Sequence, residues 1–178
     1  MDDLQELLNR EAIKQLKARY FRMLDTKDWV EYRKLFTDDC RFDRTTVVGD
    51  GPDAFVAAMT RTLAEAVTVH HGHQPEIVLL STTTARALWP MYDYVRWSSP
   101  EAMPEKLRVA PDQNGLAGHG HYEEAYRKDD GVWRISRFAV TRLAVVPLLD
   151  ERMEQTTALT GKWPTVTPDW LPAGWRAA

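Results

Sequence analysis

The feature that most restricts the fold of this chain is a change in hydrophobic period near residue 67. Before it, apolar residues recur at helical spacing. Leu4, Leu8, Ile13, Leu16, Tyr20 and Leu24 fall at near-helical intervals with Glu, Lys and Arg between them, which predicts one helix over residues 3–25. Asp28 can cap a second, short helix. Glu31 completes its capping box, and Trp29, Tyr32, Leu35 and Phe36 give it an apolar face. A strand is expected over 40–48, a turn from Gly49 to Pro52, and a third helix from Asp53 to about Glu65. Beyond residue 67 the period is two. Residues 67–80 and 84–97 read as long strands joined by Ser-Thr-Thr, and residues 98–117, with Pro100, Pro104 and Pro111, as a surface loop. Residues 118–128 form a strand, Asp129, Asp130 and Gly131 a hairpin turn, and residues 132–146 the last strand. Helices that come first must cover one face of the hairpin-joined, antiparallel strands that come after, which gives an α+β architecture.

Length and composition agree with one domain. The chain has 178 residues, enough to bury a core without staples. Residues 1–148 are expected to form that domain. Residues 149–178, with Pro164, Pro168 and Pro172, are expected to form an irregular arm packed on it. A net charge of −3 with no concentrated basic stretch argues against a nucleic-acid partner. Cys40 is the single cysteine, so no internal disulfide can form, which suits a reducing compartment. The N-terminal segment is charged and helical rather than signal-like, and no apolar run is long enough to cross a bilayer. The expectation is a cytoplasmic protein with no membrane contact. Large residues on the outer strand phases, including Leu88, Tyr92 and Tyr94, predict a homodimer through that face of the sheet.

The strand over 84–97 carries the first functional signal. One phase holds Ala85, Ala87, Trp89, Met91, Asp93, Val95 and Trp97; the other holds Arg86, Leu88, Pro90, Tyr92, Tyr94 and Arg96. Successive side chains face opposite ways, so Asp93 lies in the apolar phase that should meet the helices. An ionised carboxylate there needs a partner, and desolvated carboxylates concentrate at sites. The plain alternative is an Asp hydrogen-bonded at the sheet rim.

Histidines supply the second signal. His70, His71 and His73 open one strand, and His119 and His121 open another. His71 and His73 share a face, and His70 takes the opposite one. Imidazoles two residues apart can hold zinc or iron. No Cys pair or His-Glu-x-x-His helix joins them here, so polar strand-end histidines are the simpler reading and no bound metal is expected. Tyr20 continues the apolar stripe of the first helix, so its buried hydroxyl needs a partner. Asp25, near the same helix C-terminus, is opposed by the helix dipole. Glu124, between Tyr122 and Tyr126 in one strand phase, is a further candidate. There is no Gly-x-Ser-x-Gly elbow, no phosphate-cradling glycine loop and no Cys-x-x-Cys pair. What remains is Tyr, Asp and His, the material of general acid–base chemistry.

Several runs resemble a known family. They are ArgTyrPheArgMetLeuAspThrLysAspTrp at 19–29, LeuPheThrAspAspCysArgPheAsp at 35–43, ThrValHisHis at 68–71, GlyHisGlyHis at 118–121 and AspGlyValTrpArgIle at 130–135. Together, over roughly residues 4–146, they are similar to the SnoaL-like branch of the nuclear transport factor 2-like superfamily. The resemblance implies a cone-shaped α+β barrel, with the helices packed on a strongly curved antiparallel sheet that encloses a cavity. The pattern is closest to scytalone dehydratases and bile-acid 7α-dehydratases, which implies acid–base residues at Tyr20, Asp25, His70 and Asp93. Glu124 stands where the scytalone enzymes carry an Asn, Arg44 where they carry a Tyr, and Val95 near their second His. These departures set the chain apart from scytalone-type substrate handling.

Residues and resemblance together predict a cofactor-independent lyase or isomerase, dehydratase-like, acting on a small apolar cyclic oxygenated molecule such as a steroid, terpenoid or polyketide. His70 is the expected base or acid, Asp25 or Asp93 its orienting carboxylate, and Tyr20 a hydrogen-bond donor to a developing oxyanion. Trp89, Met91 and Val95, with Tyr122 and Glu124, are the expected substrate-binding residues. The alternatives are a non-catalytic small-molecule-binding protein of the same fold and a metal-dependent lyase using the histidine cluster.

Overall fold

The computed structural model describes residues 2–43 and 51–150. Helix α1 spans Asp3–Asp25 and is capped by Asp2, whose carboxylate accepts the Gln5 N–H at 2.7 Å. Helix α2 spans Trp29–Arg33. Its cap is the expected one, with Asp28 accepting the Glu31 N–H at 3.3 Å. Strand β1 (Phe36–Asp43) and helix α3 (Gly51–Leu63) follow. Then come β2 (Val67–Gly72), β3 (Glu76–Leu79), β4 (Thr84–Arg96), a single 3-10 turn (Glu105–Leu107), β5 (Gln113–Asp129) and β6 (Val132–Leu149). No helix among the described residues is long and apolar enough to cross a membrane.

The strands form one sheet in the order β1-β6-β5-β4-β2, with β3 also on β4. The α+β class is the one expected, but the sheet is open and mixed rather than an antiparallel barrel. β1 runs parallel to β6. No hairpin joins these two strands; most of the domain lies between them in sequence, and parallel neighbours require such a crossover. β5 and β6 do form a hairpin. Asp130 (φ 52°) and Gly131 (φ 80°) occupy its turn, both left-handed as a two-residue type I′ turn requires.

Element boundaries differ from expectation in several places; the third helix, expected from Asp53 to about Glu65, spans Gly51–Leu63, and Phe36, expected on the second helix, opens β1. The first strand lies at Phe36–Asp43, and residues 44–50 fall outside the described residues. β5 starts at Gln113 and β6 runs on to Leu149. The strand expected over 67–80 is broken. A step of four residues from Gly72 to Glu76 faces a step of three from Met91 to Leu88. Pro75 has no N–H for the ladder, and the extra residue moves the inward phase from Thr68 and His70 to Ile77. The arm expected over 149–178 lies, beyond Asp150, outside the described residues.

The core fills the space between the helices and the concave sheet face. Ile13, Leu16, Tyr20 and Leu24 of α1 are buried there, but Leu4 and Leu8 are exposed. The stripe is shorter than its spacing suggests because α1 first meets the sheet at Asn9 and Arg10. Asn9 accepts the Trp133 indole N–H at 3.2 Å, and Arg10 donates to the Ile77 carbonyl. Lys17 shares the buried stripe. Its Nζ lies 2.6 Å from Glu124 Oε1, and both side chains are fully buried. The other Glu124 oxygen accepts the Tyr126 hydroxyl, and that hydroxyl accepts the Trp89 indole N–H at 2.8 Å. Burial lowers the Lys17 ammonium to about 8, with Glu124 opposing the fall.

Removing one partner of a buried ion pair strands the other charge. Lys17→Met should therefore destabilise the protein by about 3–5 kcal/mol. Lys17→Met with Glu124→Gln should recover most of that loss in urea unfolding. Losses that simply add would show that the two charges do not act as a pair.

Candidate active site

A cavity of about 320 Å³ lies between α1, α3 and the concave face of β2, β4, β5 and β6, within the size range of small-ligand sites. Leu24, Phe55, Leu63, Trp97 and Phe138 form much of its apolar wall, and Lys106 of the 3-10 turn stands at its edge. Tyr20, Thr62, His70, Asp93, Tyr122 and Arg142 are the other polar residues that line it. A larger groove of about 540 Å³ opens elsewhere on the surface. Its Arg33, Asp38, Asp39, Arg127 and Asp129 neutralise one another in exposed ion pairs, and none of the candidate residues lines it.

The inward phase of β2 presents Thr68 and His70 to the C-terminal end of α1. His70 Nδ1 lies 2.7 Å from Asp25 Oδ1, and Asp25 Oδ2 accepts the His70 backbone N–H at 2.8 Å. A carboxylate can only accept, so Nδ1 carries the hydrogen and Nε2 of the neutral ring is left as the basic nitrogen. The Thr68 hydroxyl donates to Asp25 Oδ1 at 2.9 Å, and Lys27 Nζ donates to Thr68 Oγ1 at 2.7 Å. His70 forms part of the cavity wall, and Asp25 stands behind it.

Asp93 pairs with His70 in the backbone register of β2 and β4, yet its side chain binds elsewhere. Arg142 of β6 grips it with two bonds, Nη1 to Oδ1 at 2.6 Å and Nη2 to Oδ2 at 2.5 Å. This fork crosses β5 at Gly118, the Cα partner of Asp93. A Cβ at position 118 would collide with both Arg142 Nη1 and Asp93 Oδ1, so only glycine leaves the crossing open. Of the two carboxylates considered for His70, Asp25 reaches it and Asp93 is taken by Arg142. Arg142 was not singled out from sequence. The signal was its shared phase with Phe138 and Val140 of the same strand, both of which line the cavity.

Tyr20 and Tyr122 are buried side by side, their rings 5.8 Å apart. Burial, aided by neighbouring Tyr32, pushes both phenols well above their ordinary range. They are therefore neutral hydrogen-bond donors rather than acids that titrate near neutrality. Lys17 Nζ lies 3.8 Å from the Tyr20 ring centroid and 3.6 Å from that of Tyr122.

Of the expected substrate-binding residues, Val95 and Tyr122 line the cavity, but Trp89, Met91 and Glu124 do not. All three face inward as their phase requires. Trp89 and Glu124 are drawn into the Lys17 network, and Met91 Sδ lies 3.8 Å from Arg142 Nη1. His71, His73 and His119 are exposed. Among the described residues, no group of three or more His, Cys, Asp or Glu could hold a metal ion.

A helix-covered open sheet with a cavity on its helix-facing side fits the cone of the nuclear transport factor 2-like kind. Residues 5–139 match the model of the SnoaL-like domain, and the chain belongs to that family. Solved structures share the fold. A proposed scytalone dehydratase from Novosphingobium aromaticivorans superposes with a TM-score of 0.66 at 20% identity, covering 81% of this chain and 90% of that one. The hexachlorocyclohexane dehydrochlorinase LinA type 3 of Novosphingobium barchaimii gives 0.67 at 17% identity, covering 83% and 94%. Rv3472 of Mycobacterium tuberculosis, of unknown function, gives 0.60 at 19% identity, covering 76% and 77%.

The site's phenols can be tested directly. Tyr20, Tyr32, Tyr122 and Tyr126 are all raised by burial, and the chain has six tyrosines. Because their folded values lie above the unfolded ones, their stabilisation is complete below about pH 10 and is lost as pH rises past it. Tyrosinate absorbance of the folded protein at pH 11 should not exceed that of two residues and should jump on unfolding. A larger folded-state signal would show that these phenols are not held as described.

Proposed function

We propose that the protein is a cofactor-independent acid–base lyase or isomerase acting on a small apolar cyclic molecule that carries a carbonyl and a hydroxyl. The observation that carries this reading is the Asp25–His70 hydrogen bond at the wall of an apolar cavity. His70 Nε2 takes a proton from the carbon beside the carbonyl. Asp25 steadies the imidazolium that forms. Tyr20, Tyr122 and the Arg142 guanidinium offer donors to the oxygen on which charge develops. The imidazolium then returns the proton to the leaving hydroxyl, so that water departs and a carbon–carbon double bond forms. Returned to a different carbon, the same proton completes an isomerisation. Steroid, terpenoid and polyketide rings fit this description.

The fold neighbours named as a dehydratase and a dehydrochlorinase lend support, since each name denotes an elimination. The test is a panel of such compounds incubated in deuterium oxide and followed by proton NMR for exchange or loss of water. On a compound that reacts, His70→Ala should lower kcat by about 10²- to 10⁴-fold. Asp25→Asn should cost comparably and non-additively with it. Asp93→Asn should behave independently of His70, because its partner is Arg142. Full turnover by His70→Ala would refute the mechanism, and tight binding with neither exchange nor elimination would make the protein a binder.

We infer with this a cytoplasmic homodimer. Support for the location is a single, buried, free Cys40. Support for the dimer is the outer sheet face, where Leu88, Tyr92 and Tyr94 remain only half-buried. Sedimentation at micromolar concentration should give twice the chain mass, and a monomer would count against the interface.

A further inference from the structure

We propose that Thr68 and Lys27 form a positioning arm behind the Asp25–His70 pair, holding the Asp25 carboxylate in the orientation that keeps His70 protonated on Nδ1. The inference rests on the acid–base reading of that pair and adds two residues to it.

The direction of the chain is forced by chemistry. Lys27 has only donors and the Asp25 carboxylate has only acceptors. The Thr68 hydroxyl lies between them, 2.7 Å from Lys27 Nζ and 2.9 Å from Asp25 Oδ1. It must therefore accept from the lysine and donate to the carboxylate. Oδ1 then receives two hydrogen bonds, from Thr68 and from His70 Nδ1, while Oδ2 receives the His70 backbone N–H. All three donors come from β2, so the carboxylate is fixed against the same strand that carries the imidazole. Without the threonine hydroxyl, Oδ1 would keep one side-chain donor, and the partly exposed Asp25 side chain could turn toward water.

The backbone at Lys27 gives an independent reason. Asp28 N–H returns to the Met23 carbonyl at 2.9 Å, which closes α1 with Lys27 at φ 62°. That is the left-handed position after a helix, where glycine is favoured. A lysine in this conformation carries backbone strain that glycine would not, and its side chain ends on Thr68. The groups around the arm are Asp25 from α1, Thr68 and His70 from β2, and the Trp29 ring of α2, whose centroid lies 5.9 Å from Lys27 Nζ; Asp93 of β4 pairs with His70 only in the backbone register. Arg142 of β6 already binds Asp93.

The arm can be tested on the free protein. Ring nitrogen shifts of His70, from long-range proton–nitrogen NMR, report its tautomer, and the exchange rate of the Nδ1 proton reports how firmly Asp25 holds it. Wild type and Thr68→Ser should show Nδ1–H alone with slow exchange. Thr68→Val and Lys27→Gly should show both tautomers or faster exchange. Lys27→Gly should melt at or above the wild-type temperature, because glycine relieves the positive φ, which separates positioning from support of the fold. On a compound that reacts, both variants should lower kcat by up to about a hundredfold with KM little changed. A wild-type ring protonated on Nε2 overturns the proposal, and so does an unchanged ring in either Thr68→Val or Lys27→Gly. Failure of every compound to react would sink the acid–base reading while leaving the ring signals to decide the arm.

Discussion

Two carboxylates, Asp93 and Glu124, are buried within the fold and a third, Asp25, stands behind His70, and the arrangement of the site follows from how each one is neutralised. Asp93 is gripped by Arg142, Glu124 by Lys17 and the Tyr126 hydroxyl, and Asp25 by His70 and Thr68. A buried carboxylate left alone would take up a proton or pull the structure open. Buried ion pairs contribute little net stability against apolar replacements of the same shape, so their effect here lies in geometry. Because Arg142 occupies Asp93 and Lys17 occupies Glu124, the carboxylate available to the imidazole is Asp25.

This division also sets the character of the cavity. The lysine ammonium lies against the rings of Tyr20 and Tyr122, a contact that favours one orientation for each ring. Their hydroxyls stay neutral. The site therefore combines one basic nitrogen, two neutral donors and one guanidinium already matched by a carboxylate. A fold of this kind hosts many chemistries, so the reaction is argued from these groups rather than from the resemblance in shape.

The fold was largely legible because its signals are local. The period change placed the helices before the strands, Asp28 and Glu31 marked the second helix, and Asp130-Gly131 marked the hairpin. The parallel pairing of β1 with β6 was not legible, since nothing in either segment encodes the direction of a distant partner. At the site, strand alternation placed Asp93 and His70 inside. It could not say which carboxylate would meet the histidine, because that depends on where the Arg142 side chain ends. Lys17 was overlooked although it falls four residues after Ile13 and three before Tyr20, on the buried stripe. A charged residue in such a place is a signal once an opposite charge, here Glu124, occupies an inward strand phase.

The parallel pairing of β1 and β6 bears on how the chain is made. β1 emerges from the ribosome early, but its only strand partner in the described sheet is β6, the last of the described strands to be synthesised. Long-range pairing of this kind is slow and leaves edges open while it is awaited. Until β6 arrives, β1 has no sheet edge to pair with, and Phe42 and Phe55 have no Phe138 to pack against. The wall of the cavity that Phe138 and Arg142 supply is completed in the same step. Nascent chains that stop short of residue 138 should therefore depend on chaperones to a degree that the finished protein does not.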